Sequence, residues 1–275
     1  MTTTVWLYKV TRPVQIIAAA SSTWVAALLS NGPDPFSSNK VAAAAAMGLG
    51  VLAASIFHYG AANRMYARKV WDLVEVENPA GFVAIGIVIF TASCAIAVIY
   101  LPWECSAIAI ADAIIVVLYA RILSKRWVTK NTVIAFVCTT PILMGWWAGH
   151  RLHPIVPYAI VIAFSAYLAR EIVKDIQDIR ANEGIRVTLP IQLGIIGAMR
   201  IAGIFAAVSA VVTASLFGVF HPSVATGLLI IFAIAEFTLV AHHLFVHQEP
   251  ARIHQDITRG IYALILSVVV LTLPL

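Results

Sequence analysis

Nine runs of roughly twenty apolar residues constrain this chain more than anything else in it. They lie at about 13–30, 39–62, 80–101, 105–122, 131–149, 154–173, 191–218, 223–246 and 257–274. A bilayer core about 30 Å thick is crossed by roughly 20 helical residues. Alternating in–out strand patterns are absent, so the runs read as helices that satisfy their own backbone rather than as a barrel. Pro and Gly punctuate the connections, as in "NGPDP" at 31–35, "NPAG" at 78–81 and "LPWE" at 101–104. Hydrophobic residues make up 61% of the 275 and charged ones only 11%, a balance that excludes a water-soluble globule. No hydrophilic stretch is long enough for a separate soluble domain, so residues 1–275 are expected to form one transmembrane domain. The first run has no small-residue cleavage site after it and reads as a retained span.

Charge placement gives the orientation. Of the eighteen Lys and Arg, fifteen fall before the first run or around the connections 2–3, 4–5, 6–7 and 8–9. Only Lys40 and Arg151 lie on the other side, and Arg200 lies within the seventh run. Short cytoplasmic loops retain positive charge, which puts the N-terminus in the cytoplasm and the C-terminus outside. The net charge of +5 then faces anionic lipid headgroups or an anionic substrate, not nucleic acid. Cys94, Cys105 and Cys138 lie in or beside apolar runs without metal-ligand spacing and read as small buried hydrophobes.

One stretch breaks the avoidance of charge. "REIVKDIQDIRANEGIR" (170–186) holds eight of the thirty-one charges. It continues the sixth run helically out of the membrane. Glu171, Asp175, Asp178 and Asn182 are spaced i, i+4, i+7, i+11 and share one helical face. Carboxylates on one stripe repel unless cations offset them, and magnesium takes oxygens from one or two carboxylates plus phosphate. A solvated helix end with Lys174–Asp178 pairing explains the same spacing without any ion.

The order of residues goes further than the spacing. "REIVKDIQDIRANEGIRVTLPIQLG" (170–194) resembles the second aspartate-rich segment of the UbiA superfamily of intramembrane prenyltransferases, with Arg170, Glu171, Lys174, Asp175, Asp178, Gly184, Thr188, Leu189, Pro190 and Gly194 in matching positions. "TRP" at 11–13 and "YARILSKRWVTKN" at 119–131 are similar to two further segments of that family. The resemblance implies a nine-helix bundle around a central cavity. It also implies a magnesium-held polyprenyl diphosphate that ionises to an allylic cation and is transferred to a lipophilic or aromatic acceptor. On this reading Asp175, Asp178, Asn182 and Glu171 hold metal, Asp175 and Asp178 serve catalysis, and Asn63, Lys125, Arg126 and Lys174 hold diphosphate.

The first aspartate-rich segment departs from the family. "NRMYARKVWD" (63–72) keeps Asn63, but Arg64, Ala67 and Trp71 stand where the family has Asp, and Asp72 is one residue out of register as a metal ligand. Two readings follow. In one, Arg64 and Arg68 share a helical face and grip the diphosphate directly, taking over the work of one magnesium ion. In the other, the chemistry is lost and the chain is a non-catalytic isoprenoid-binding or partner subunit. A terpene cyclase of the same architecture would use the same ionisation without an external acceptor. The Arg pair also serves simply as positive-inside anchoring.

A second polar set lies deeper. Asp112, Arg200 and Glu236 sit nine, ten and eleven residues in from the cytoplasmic ends, about 13–17 Å at 1.5 Å per residue. Intramembrane charges usually pair, so a mutual network is expected, structural in itself or with Asp112 or Glu236 orienting an acceptor or acting as a base. Tyr119, seven residues after Asp112, shares its face and can stabilise a nearby cation through its ring. The histidines near 242–254 read as interfacial.

Overall fold

The computed structural model describes residues 10–31, 34, 36–66, 78–149, 151, 153–184, 186–219, 222–246 and 250–272. Their helices are α1 (Pro13–Asn31), α2 (Ser38–Tyr66), α3 (Pro79–Tyr100), α4 (Trp103–Arg121), α5 (Trp127–Val137), α6 (Thr140–Gly149), α7 (Ile155–Gln177), α8 (Ile179–Asn182), α9 (Leu189–Val219), α10 (Val224–Phe245) and α11 (Pro250–Thr272). No strand occurs among the described residues, and one isolated parallel bridge joins Arg126 to Val187. Eight stretches, with α5 and α6 taken together, are long and apolar enough to cross a membrane. They coincide with the first eight expected runs. Val88, Ile99 and Val211 are 68–69% exposed on them, surface that suits lipid and not water.

Local chemistry sets several boundaries. Pro79 opens α3 behind Asn78, whose side chain accepts from the Gly81 N–H at 2.9 Å. Ser223 caps α10 by accepting from the Thr226 N–H at 3.3 Å. The fifth run, expected to be one helix, is broken between Val137 and Thr140. Pro141 has no N–H to continue the ladder and its ring crowds the preceding turn. Thr139 closes the turn instead, its N–H donating to the Phe136 carbonyl at 2.8 Å and its hydroxyl to the same oxygen at 2.7 Å. The last helix starts at Pro250, seven residues before the expected 257. Its first half is amphipathic, with Ile253, Ile257 and Ile261 buried and Gln255, Arg259 and Tyr262 exposed, so a search for continuous apolarity misses it.

The described helices fall into two packing units, residues 1–122 with 140–151 and residues 123–139 with 152–275. In the first, α6 packs on α1, α2 and α4, and α2 packs on α1 and α3. Its core is built from small side chains, including Ala19, Ala27, Ala43, Ala46, Ala97 and Ala148. Small residues allow the close backbone approach that drives helix association in lipid. An added Cβ on Gly145 would collide with the Thr23 carbonyl and lie 2.7 Å from Ala26 Cβ, so α6 needs glycine there to seat on α1.

In the second unit α7 packs against α5, α9 and α11, and α10 packs between α9 and α11. Ala166, Ala169, Ile172 and Val173 on α7 are fully buried. Ser165 and Ser209 hydroxyls pair at 2.8 Å between α7 and α9, a polar link between two helices in an otherwise apolar packing.

Candidate functional site

At one end of the second unit the residues that lead into α5 and those that lead into α9 are tied together by backbone. The Trp127 N–H donates to the Val187 carbonyl at 2.8 Å, and the Val187 N–H donates to the Lys125 carbonyl at 3.0 Å. Trp127 Nε1–H adds a bond to Gln192 Oε1 at 2.6 Å. Thr129 Oγ1 folds the loop back by donating to the Leu123 carbonyl at 2.7 Å. The segment that follows the acidic stretch is thus fixed against the basic loop at 123–127.

Inside this junction Lys130 and Asp175 form an ion pair between Nζ and Oδ1. Asn131 Nδ2–H donates to the other carboxylate oxygen, Oδ2, at 3.1 Å. Lys130, Asn131 and Asp175 are only 5%, 0% and 1% exposed. Each ion sits at the unfavourable end of its helix. Lys130 lies in the first turn of α5, against the positive end of the dipole, and Asp175 in the last turn of α7, against the negative end. Pairing offsets both penalties. Removing one partner of such a buried pair costs on the order of 3–5 kcal/mol. Asn131 Oδ1 is buried and has no partner among the described residues, and the same holds for Ser124 Oγ and Thr188 Oγ1 flanking the loop.

The four residues expected on one continuous face are handled differently by the fold. The helix of the acidic stretch ends at Gln177, Asp178 caps it with φ −91° and ψ 13°, and α8 restarts at Ile179. Glu171 is buried and accepts from Arg170 Nη1–H at 3.0 Å. Asn182 is buried, its N–H donating to the Asp178 carbonyl at 2.9 Å. Asp178 is half-buried. Burial pushes its carboxyl above the ordinary carboxylate value, while Lys174 and Lys130 pull it down, Asp175 pushes it up and Arg186 pulls it down. Lys174 is half-buried, and Lys125 and Arg126 are exposed.

A magnesium ion held by Glu171, Asp175, Asp178 and Asn182 does not fit this arrangement. Both oxygens of Asp175 are engaged by Lys130 and Asn131, and Glu171 is engaged by Arg170. Among the described residues no three His, Cys, Asp or Glu side chains come together as a metal site. Asn63 and Arg64 lie in the last turn of α2, but their side chains are outside the described residues, as are Arg68 and Asp72 altogether.

Among the described residues the ion pairs include none of Asp112, Arg200 and Glu236. Asp112 accepts from the Thr140 hydroxyl at 2.6 Å through Oδ2, at the N-terminus of α6. Arg200 is exposed and makes no ion pair among the described residues. Glu236 faces the charges of Asp256 and Arg259 on α11, which themselves pair at 3.3 Å. Between Pro190 and Arg200 the helix α9 is interrupted at Gly194 (φ 74°, ψ 164°). Tyr119 is half-buried and its ring meets His58 of α2, centroids 6.4 Å apart.

Sequence reasoning missed Lys130 as a site residue and used Asn131 only as the end of a pattern. Its one available signal was a lysine in the first turn of a helix, beside the asparagine that closes the 119–131 segment.

A profile of the UbiA prenyltransferase family matches residues 76–266. The chain belongs to that family. This UbiA-family protein is 28% identical over 202 residues to a digeranylgeranylglyceryl phosphate synthase of Natronomonas pharaonis, covering 68% of this chain and 69% of that one. It is 34% identical over 110 residues to the enzyme of that name in Methanopyrus kandleri, a match that spans only 40% of each chain. Its fold matches a solved digeranylgeranylglyceryl phosphate synthase structure with a TM-score of 0.76 at 15% identity over 99% of both chains. A UbiA homologue of Archaeoglobus fulgidus bound to GPP and Mg2+ matches with a TM-score of 0.68 at 12% identity, covering 96% of this chain and 98% of that one. The UbiA-family chain is therefore an all-helical, multi-pass integral membrane protein.

Proposed function

We propose that this protein transfers a prenyl group, within the membrane, from a polyprenyl diphosphate to a lipophilic or aromatic acceptor. The observation that carries the reading is the buried Lys130–Asp175–Asn131 set, placed by backbone bonds beside Lys125 and Arg126. Diphosphate is the group that needs such a concentration of cations. In the transfer the allylic C–O bond breaks, the electron pair leaves on the diphosphate, and the acceptor's nucleophilic atom bonds the allylic carbon and loses its proton. Charge grows on the departing diphosphate, so preorganised N–H donors stabilise the transition state more than the ground state. Lys125, Arg126 and Lys174 are assigned to the diphosphate, together with Asn63, Arg64 and Arg68. The apolar spans and surrounding lipid accommodate the isoprenoid chain. Relatives named digeranylgeranylglyceryl phosphate synthase, and a fold relative solved with GPP and Mg2+, support a prenyl diphosphate donor.

The replacement of family acids by Arg64, Ala67 and Trp71 favours a second reading, a non-catalytic isoprenoid-binding subunit. Purified protein incubated with a panel of prenyl diphosphates, with and without magnesium and with and without acceptor, decides between them by release of diphosphate. Release is expected. Its absence across the panel overturns the transferase reading, and a released product that needs no acceptor identifies a cyclase.

A further inference from the structure

We propose that the Lys130 ammonium occupies the place of a metal ion on Asp175 and bridges that carboxylate to the bound diphosphate. A divalent ion joins carboxylate to phosphate by accepting oxygens from both. An ammonium does the same with N–H donors, and it has three. Among the described residues Lys130 spends one of them, on Asp175 Oδ1. Two remain for phosphate oxygens. Asn131 holds the other carboxylate oxygen, and Asp175 is only 1% exposed beneath these two side chains, so an incoming ion reaches it only by displacing one of them. The surroundings favour an anion. Lys130 stands in the first turn of α5, where the helix dipole is positive, and the buried hydroxyls of Ser124 and Thr188 flank the same junction without partners among the described residues. A neutral or apolar residue at position 130 would leave Asp175 charged, buried and open to a metal.

The inference rests on the diphosphate reading, so its test has one arm that does not. Full-length protein in detergent is titrated with Mn2+ alone and followed by electron paramagnetic resonance. In wild type, Asp175→Asn is expected to leave Mn2+ uptake unchanged. Lys130→Gln is expected to gain an Mn2+ site that Lys130→Gln with Asp175→Asn lacks, and its thermal midpoint is expected to rise with the metal. The second arm measures binding of geranyl diphosphate. Wild type is expected to bind it in the presence of chelator, whereas Lys130→Gln loses about tenfold in chelator and recovers with Mg2+. Loss of Mn2+ from wild type on Asp175→Asn overturns the proposal, as does wild-type binding abolished by chelator. Should Lys130→Gln fail to fold, wild-type binding in chelator decides alone. A protein that binds no diphosphate sinks the transferase reading, while the Mn2+ arm still reports on Asp175.

Discussion

At Asp178 burial and charge work in opposite directions, and burial prevails. A carboxyl raised above its ordinary value of about 3.9 holds its proton more readily folded than unfolded. Its contribution to stability is therefore fully present below that ordinary value and is lost as pH rises through the folded one. Asp178→Asn carries no charge at any pH. It is expected to unfold at higher temperature than wild type at neutral pH, and the difference should vanish below about pH 4. Thermal scans of apo protein across pH read this directly; an unchanged or lower neutral midpoint contradicts burial as the dominant influence. The same scale shows where sequence reading stops. Spacing singles out Asp175 as a candidate because it compares positions along one helix. It could not identify Lys130, which meets Asp175 across 45 residues of chain. Nor could it foresee Thr140 as the donor to Asp112, 28 positions away.

Helices were legible where their cause is length. Apolar runs of bilayer size gave the first eight spans to within a few residues at most ends. Interruptions were not, because a break changes the direction of a run without changing its composition. Pro141 was visible in the sequence, yet a proline inside an apolar stretch is often absorbed by neighbouring helices. Gly194 was visible as part of the family-like pattern, but its backbone state was not. It adopts φ 74° and ψ 164°, a region open essentially to glycine alone, with no atom within 4 Å of an added Cβ. Gly194→Ala therefore meets no steric obstacle, and its whole cost is conformational. It is expected to destabilise by roughly 1–3 kcal/mol, measured by chemical or thermal unfolding in detergent. A neutral substitution would mean that α9 runs straight through this point.

For the whole molecule, fold class and family were written in the chain at two levels, the nine runs and the 170–194 segment. Orientation rests on the first level alone, fifteen basic residues against two. It is tested with Cys94, Cys105 and Cys138 replaced by alanine and single cysteines introduced at exposed sites. A membrane-impermeant thiol reagent on intact cells is expected to label Asp34→Cys and to reach Arg121→Cys only after lysis. The reverse pattern inverts the topology. Direction of synthesis gives the broken fifth span a history as well as a shape. The helices that receive α6, namely α1, α2 and α4, are made before it, whereas the helix that receives α5, α7, is made after. The second half of the span thus has its seat waiting when it leaves the ribosome, and the first half does not. Lys130 has to wait for its counter-ion, and the arrival of a single carboxylate on α7 is what allows that ammonium to leave water.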